Sequence, residues 1–243
     1  MICANDDLGS PCVGCKCHLN PVVIIATHNR LIITTKNIEL LQQQRCKIVL
    51  VVSYKEEFNY YSNRFPEIEI VRAQNDPLGA KWQAGVNWAV TIGANPLIIV
   101  GSDDILGKDY INRALDLMVK GYDLIGTTSW YTYESETNSL YKMKYINQNA
   151  HFPIGSGKVF SKSLLEKINN QVFDVKANRK LDDLGYHNTM KAKAPIVLDD
   201  DLNVLAVKGQ WNEMNSLKDY LRSRNIKSEP ADTEILKELF NYE

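Results

Sequence analysis

The chain has 243 residues, of which 44% are apolar and 23% are charged, and its formal net charge is −1. This length and apolar content can bury the core of one large α/β domain or of two small ones, and they argue against intrinsic disorder. The near-neutral charge excludes a general attraction to nucleic acid or to anionic membranes, so partners have to be inferred from local sites. The sequence has neither a bilayer-spanning apolar stretch nor a signal peptide, which predicts a cytoplasmic protein.

Four of the five cysteines lie within the first 17 residues, and His18 follows them. Their C-x-x-C-x-C spacing could hold zinc through thiolates. The stretch is short, however, and has no apolar periodicity. These features favour the interpretation that residues 1–20 form a reduced N-terminal arm and not a zinc site. The residues concerned are Cys3, Cys12, Cys15 and Cys17.

From Pro21 onward, strand-like and helix-like segments alternate. Predicted strands cover Val22–Thr27, Lys47–Ser53, Ile68–Arg72 and Leu97–Val100. Predicted helices cover Leu31–Gln44, Glu56–Arg64, the face formed by Leu78, Trp82, Val86 and Ala89, and a fourth segment from Tyr110 to Met118. This repeated order predicts a mainly parallel sheet, flanked by helices and joined by right-handed crossovers, of a nucleotide-binding type.

After Asp123–Gly126 the pattern changes. A Tyr-rich hairpin is predicted from Trp130–Glu134 and Ser139–Ile146, and Ser161 or Ser163 could cap a helix through Ile168. Further predicted segments are a helix at Arg179–Ala192, strands at Ile196–Leu198 and Val204–Val207, and helices at Ser216–Arg224 and Thr233–Phe240. With no convincing linker, residues 21–243 are interpreted as one continuous domain.

Two adjacent carboxylates follow the apolar run Leu97–Val100. Asp103 and Asp104 are separated from that run only by Gly101 and Ser102. Hard oxygen ligands at the end of a buried strand suit Mg²⁺ or Mn²⁺, which bind through one or two carboxylates together with a substrate diphosphate. In the alternative interpretation, the two acids cap the helix that follows.

The order of motifs resembles that of the GT-A glycosyltransferases, and specifically of the inverting family 2 type. The resemblance covers roughly residues 21–210. The segments that carry it are Thr27-His28-Asn29-Arg30 at a strand end, Leu78–Gly85 at a helix start, Val100–Asp104, Ile154–Gly157 followed by Val159–Lys162, and the acidic Leu181-Asp182-Asp183-Leu184.

The resemblance implies a GT-A type α/β fold and a metal-dependent transfer of sugar from a nucleotide-sugar donor to an acceptor hydroxyl, with inversion. It implies a donor half at 21–128, an acceptor half at 129–210 and C-terminal helices at 211–243, with Mn²⁺ or Mg²⁺ on Asp103 and Asp104. It assigns the general base to Asp182 or Asp183; because neighbours on a helix point about 100° apart, only one can face the acceptor, and we favour Asp183. The implied donor-binding residues are Thr27, Asn29, Arg30, Ser53, Lys81, Gln83, Ser102, Asp103 and Lys208.

Two departures from the family pattern leave the donor base open. Gly101 stands where the family usually has the first acid of Asp-x-Asp, and Val52-Ser53-Tyr54 lacks the acid that often contacts the nucleobase or ribose. A nucleotidyltransferase is a second hypothesis, although Thr27–Arg30 lacks the glycine-rich loop usual there. A non-catalytic nucleotide-sugar-binding protein is the third, and Gly101 makes it conceivable.

The acceptor is not specified by the sequence: a saccharide, a lipid-linked carrier, a protein side chain or a modified nucleobase in DNA would all fit. His28 could contact the nucleotide, and Trp211 and Asn212 lie where related enzymes close a loop over the donor. Aromatic residues Trp130, Tyr131 and Tyr133 could stack on an acceptor, but packing is expected. Asp199–Asp201 is interpreted as an acidic turn. Five basic residues are interpreted as a solvated face, and binding of a polyanionic acceptor is the alternative. These residues are Lys176, Arg179, Lys180, Lys191 and Lys193.

Overall fold

The structure, a computed structural model, describes residues 16, 18–147, 150–180, 183–209 and 216–242. In its first half, strands and helices alternate as the sequence predicts. The elements are β1 (Val22–Ala26), α1 (Leu31–Leu41), β2 (Lys47–Val52), α2 (Lys55–Arg64), β3 (Glu69–Arg72), α3 (Leu78–Thr91), β4 (Leu97–Gly101), β5 (Asp104–Leu106), α4 (Tyr110–Val119) and β6 (Leu124–Gly126).

The second half contains shorter elements and the predicted hairpin. They are β7 (Ser129–Glu134), β8 (Ser139–Tyr145), β9 (Val159–Phe160), α5 (Lys162–Lys167), α6 (Asp183–Lys191), β10 (Ile196–Leu198), β11 (Val204–Lys208), α7 (Leu217–Arg222), β12 (Ile226–Ala231) and α8 (Glu234–Phe240). The prediction of a Ser cap on α5 is confirmed, since the Ser161 side chain accepts a hydrogen bond from the Leu164 backbone N–H.

The larger sheet has the strand order β10-β6-β9-β4-β1-β2-β3. All its pairings are parallel except those of β9, which runs antiparallel to β4 and β6. The predicted α/β class, a mainly parallel sheet with flanking helices, is confirmed. Because β1 and β4 pair in register, with Ala26 opposite Gly101, the loops that follow these two strands meet at one edge of the sheet.

The central strands consist almost wholly of apolar residues because both of their faces are covered. In β1, Val23 and Ile25 belong to the core with α1 and α4, whereas Val22 and Ile24 belong to the core with α3. The four side chains are fully buried. This packing fixes the position of the polar loop that begins at Thr27.

The smaller sheet has the order β12-β8-β7-β11-β5 and joins the larger one through Asp103. Its strand β5 begins directly after Asp103 and pairs antiparallel with β11, while Val207 N–H donates to the Asp103 carbonyl at 2.8 Å. As a result Lys208, the last residue of β11, lies beside the end of β4. Strand β12 was not predicted, because its sequence Ile-Lys-Ser-Glu-Pro-Ala is polar and lacks an apolar alternation, as an edge strand can.

Three expectations from the sequence are corrected or left outside the structure. The acids Asp103 and Asp104 do not cap α4, since that helix begins after Asp109 and Asp104 begins a strand. Helix α6 starts at Asp183 rather than at Arg179. The N-terminal residues Cys3, Cys12, Cys15 and Cys17 lie outside the described residues. Within the described part of the chain, none of the helices has the length and apolar character that crossing a bilayer demands.

Candidate active site

A cleft of about 1180 Å³ opens at the carboxyl ends of β1 and β4, where ligands bind in open α/β sheets. It is walled by both sheets and by the start of α6. Its lining includes Thr27, His28, Asn29, Arg30, Asn75, Lys81, Gly101, Ser102, Asp103, Asp104, Trp130, Tyr145, Phe152, Ser156, Lys158, Lys180, Asp183, Tyr186, Lys208 and Tyr220.

Asp103 forms the centre of a buried charge cluster in this cleft. Its Oδ1 lies 2.9 Å from Arg30 Nη1, and its Oδ2 lies 2.9 Å from Lys208 Nζ. The Asp103 and Lys208 side chains are 10% and 6% exposed, and that of Arg30 is 26% exposed. Arg30 also donates to Ser102 Oγ at 3.1 Å. Residues from three distant segments therefore place two cations against one carboxylate.

Gly101 provides room for the carboxylate of Asp104. A Cβ atom at position 101 would lie 2.2 Å from Asp104 Oδ2, well inside contact distance. Burial, and next the charge of Asp103, raise the pKa of Asp104 to about 6. The backbone is held by Asn37, whose Nδ2 donates to the carbonyls of Gly101 and Asp104, and by Ser156 Oγ, which accepts from Gly101 N–H at 3.1 Å. Gly101, which departs from the family pattern, thus leaves the space that the Asp104 carboxylate occupies.

Lys81 is buried at the strand-end side of the cleft. Its Nζ donates to the Thr27 carbonyl, to Ser53 Oγ at 2.8 Å and to Asn75 Oδ1 at 3.1 Å. An ammonium group has three protons, so these contacts use all of them. Burial lowers the pKa of Lys81 to about 8, an effect that the carboxylate of Glu57 opposes. Lys81 therefore holds together the segments that follow β1, β2 and β3.

Glu57, which sequence reasoning missed, fixes the same region from α2. Its buried carboxylate accepts backbone N–H bonds from Asn29 at 2.7 Å, from Ser53 at 3.2 Å and from Tyr54 at 3.3 Å. The acid at the third helical position, where a capping box places Glu, was the available signal. Glu57 and Lys81 together preform the loops that predicted donor-binding residues occupy.

Gln83, which the resemblance implied as a donor-binding residue, contacts the backbone of the 170–173 segment. Its Oε1 accepts from the backbone N–H groups of Val172 and Phe173, and its Nε2 donates to the Asn170 carbonyl. The side chain is absent from the cleft lining among the described residues. Gln83 anchors the 170–173 segment, and the proposed donor site omits it.

Asp183 is exposed at the first turn of α6 and lines the same cleft as Asp103. The other predicted candidate base, Asp182, lies outside the described residues. Tyr186 stands three residues after Asp183 and also lines the cleft. Residues with this spacing share a helix face, so the carboxylate and the phenol face the same space.

The C-terminal segment contributes a further residue that sequence reasoning missed. Tyr220 of α7 lines the cleft, and its ring lies 5.6 Å from that of Trp130. Burial, and next the charge of Asp104, raise the pKa of the Tyr220 phenol. Trp130 is itself buried against Tyr145, with the ring centroids 5.0 Å apart, and it also lines the cleft.

Two other predicted groups lie where packing or solvent explains them. Asp199 and Asp201 bind Arg113, Asp200 binds Lys144, and Asp201 N–H donates to Asp199 Oδ1, which confirms the acidic turn. The predicted basic group consists of Lys176, Arg179, Lys180, Lys191 and Lys193, and all five are exposed. Among these residues, only Lys180 is part of the described cleft lining.

The donor set at Asp103 and Asp104 fits a metal that a ligand helps to hold. Among the described residues no group of three His, Cys, Asp or Glu side chains is arranged for a metal, so a closed protein-only site is not formed there. Mg²⁺ commonly binds through one or two carboxylates and takes its other ligands from substrate phosphates and water. Asp103 and Asp104 are the two adjacent carboxylates that would hold such an ion, and Asp103 is paired with Arg30 and Lys208.

No protein-family profile and no curated protein sequence matches the chain. Solved structures do match. One is a crystal structure of residues 1–349 of TarS from S. aureus, with a TM-score of 0.55 at 14% identity. Another is a crystal structure of S. aureus TarS, with a TM-score of 0.57 at 15% identity. Each match covers 78% of this chain but only 60% and 37% of the TarS chains, so this chain spans less than two thirds of the proteins it resembles. At these identities the likeness shows the fold alone, and that fold is the GT-A type α/β fold.

Proposed function

We propose that this protein transfers a sugar from a nucleotide-sugar donor to an acceptor hydroxyl, with inversion at C1. The observation that carries the proposal is that Asp103 and Asp183 line the same cleft. Asp103 is paired there with Arg30 and Lys208, and the carboxylate of Asp183 is exposed. The GT-A fold is consistent with this chemistry but does not establish it.

At the donor end, Arg30 and Lys208 are two cations that would meet a diphosphate. Both lie against Asp103 and line the cleft, so a bound diphosphate would meet two positive groups already held in place. A preorganised charge of this kind stabilises the negative charge that develops on a leaving diphosphate without reorganisation. A Mg²⁺ or Mn²⁺ ion held by Asp103 and Asp104 would supply Lewis-acid assistance there.

The nucleotide would lie against the loops that Lys81 and Glu57 fix. Thr27 Oγ1 is bonded to Thr34 at 2.8 Å and Ser53 Oγ accepts from Lys81, so neither hydroxyl is turned freely into the cleft. Asn29, His28 and Asn75 line that side. Lys81 contributes by holding these loops, because its protons are engaged by protein acceptors.

At the acceptor end, Asp183 is the proposed general base. Its carboxylate would take the proton of the acceptor hydroxyl as that oxygen bonds to C1 of the donor sugar. The bond from C1 to the bridging diphosphate oxygen breaks as the new bond forms, and the nucleoside diphosphate leaves with the bonding electron pair. Attack from the side opposite the diphosphate inverts C1.

The test is a panel of nucleotide sugars, each incubated with the protein with and without Mn²⁺ and assayed by mass spectrometry. We expect nucleoside diphosphate to be released from at least one donor only when the metal is present. Asp103→Asn should cut the release by on the order of a hundredfold or more. Asp116→Asn, a 58% exposed side chain on α4 outside the cleft lining, is the matched control and should release at the wild-type rate.

Three results would contradict the proposal. Release of pyrophosphate from nucleoside triphosphates would indicate a nucleotidyltransferase. Thermal stabilisation by nucleoside diphosphates with no turnover of any donor would indicate a binding protein. Unchanged turnover in Asp103→Asn would show that the cleft centre is misassigned.

A further inference from the structure

A pair of aromatic rings lies at the rim of the cleft beside the proposed base. The ring centroids of Phe152 and Tyr186 are 4.8 Å apart, and the ring planes are tilted by 47°. Both residues line the cleft, and Phe152 is 41% exposed. A single exposed aromatic needs no explanation, but an exposed ring paired with a second ring inside a cleft is an apolar surface suited to a ligand.

This pair is held by the sheet and is not part of a loose surface. Ile154 N–H donates to the Thr127 carbonyl at 2.9 Å, directly after β6, and Pro153 packs where a Cβ on Gly126 would stand. The Tyr186 hydroxyl donates to the His151 carbonyl at 3.3 Å. The backbone around Phe152 is therefore tied to β6 on one side and to α6 on the other.

The same segment connects the rings to the donor end of the cleft. Ser156 lies four residues after Phe152, and its Oγ accepts from Gly101 N–H at the end of β4. On the other side, Tyr186 shares a helix face with Asp183. The ring pair is thus connected to the donor end of the cleft through Ser156 and to the helix of the proposed base through Tyr186.

An acceptor in this place must offer two things within one small group. It must present a hydroxyl to the Asp183 carboxylate and an apolar face to the rings. A pyranose ring does both, since C–H groups project from its faces and hydroxyls surround its edge. A planar nucleobase would stack best in a slot with parallel walls, whereas these rings are tilted and open to solvent.

We propose that Phe152 and Tyr186 form the acceptor platform of this protein and that the acceptor is a pyranoside. The proposal rests on the proposed glycosyl transfer. The pyranose ring lies on the aromatic pair, one of its hydroxyls loses a proton to Asp183, and that oxygen takes the place of the nucleoside diphosphate on C1 of the donor.

The test uses p-nitrophenyl and methyl pyranosides of glucose, galactose and N-acetylglucosamine, with the donor found in the panel above. Two rates are measured, namely donor hydrolysis without acceptor and transfer at increasing pyranoside concentration. We expect Phe152→Ala to raise the KM for the pyranoside about fivefold to tenfold, with the donor hydrolysis of the same variant measured as its reference rate. Phe152→Tyr should restore the wild-type KM, and Trp88→Ala, an aromatic that is also 41% exposed but lies outside the cleft lining, should leave it unchanged.

Saturation-transfer NMR with the methyl pyranosides gives a readout independent of turnover. The C–H protons of one pyranose face should receive saturation from the wild-type protein, and Phe152→Ala should lose that signal. The platform is refuted if the KM and the NMR signal of Phe152→Ala match those of the wild type. It is also refuted if donor hydrolysis occurs but only an oligodeoxynucleotide accepts the sugar. Absence of nucleotide release from every donor refutes the underlying glycosyl transfer instead, and the platform with it.

Discussion

Replacing Asp103 by asparagine should leave two cations without their partner. The change keeps the shape of the side chain and removes its charge. Lys208 Nζ, whose side chain is only 6% exposed, would then lose the carboxylate that it contacts at 2.9 Å. Arg30, at 26% exposed, can turn toward solvent and should contribute less.

The expected loss of stability follows from that difference in burial. Breaking a buried ion pair from one side costs about 3–5 kcal/mol, whereas an exposed pair is worth about 0–1 kcal/mol. Most of the loss in Asp103→Asn should therefore come from Lys208. A domain with about 5–15 kcal/mol of total stability would remain folded at 25 °C but with a narrow margin.

A double-mutant cycle with Lys208→Met measures the pair itself. Urea unfolding of the wild type, both single variants and the double variant should give a midpoint shift with an unchanged slope. We expect the double variant to be at least about 1 kcal/mol more stable than the sum of the single effects requires, because it contains no buried lysine that has lost its contacting carboxylate. Asp116→Asn should change stability by less than about 0.5 kcal/mol. Strict additivity of the two single effects would refute the buried pair.

Three further predictions concern other residues of the cleft. Lys81 has a pKa of about 8 in the folded protein against an ordinary 10.5, so the unfolded chain binds more protons between these pH values. Protonation of buried Lys81 therefore lowers the free energy of unfolding by about 3 kcal/mol, and this loss is relieved as the pH rises from 8 to 10.5. Urea unfolding should show the wild type gaining that stability relative to Lys81→Met over this range, and parallel pH curves for the two proteins would contradict the prediction. Asp183→Asn should lower transfer by roughly a hundredfold to ten-thousandfold while donor affinity by calorimetry stays within a few fold, and Asp182→Asn should be milder; the reverse order of effects would exchange their roles. Gly101→Ala should destabilise the protein by about 1–3 kcal/mol in thermal unfolding, because its Cβ would meet the Asp104 carboxylate, and a variant as stable as the wild type would show that this contact is relieved at no cost.

The sequence predicted well what depends on strand ends and periodicity. Buried runs such as Leu97–Val100 identify parallel strands, and the carboxyl ends of neighbouring parallel strands meet at one edge. The resemblance to the GT-A glycosyltransferases implied that Arg30, after β1, and Asp103, after β4, belong to one donor site, and the structure places Arg30 Nη1 2.9 Å from Asp103 Oδ1.

Contacts that depend on the folded chain were not predictable in the same way. Glu57 resembles an ordinary acid in the first turn of a helix, and only the fold brings Asn29 N–H to it. Gln83 occupies a motif position but is turned toward the 170–173 backbone. Tyr220 reaches the cleft from α7 near the end of the chain, and no local pattern records that approach.

Cleavage of a donor labelled with ¹⁸O at the oxygen that bridges C1 and the diphosphate tests the proposed chemistry most directly. If the acceptor oxygen attacks C1, the label must leave with the nucleoside diphosphate, and proton NMR of the first product must show the opposite anomeric configuration to that of the donor. Mass spectrometry locates the label after a single turnover. Label found in a sugar phosphate, which reports cleavage at phosphorus, would contradict glycosyl transfer at this cleft, and retained configuration would contradict the single displacement assisted by Asp183.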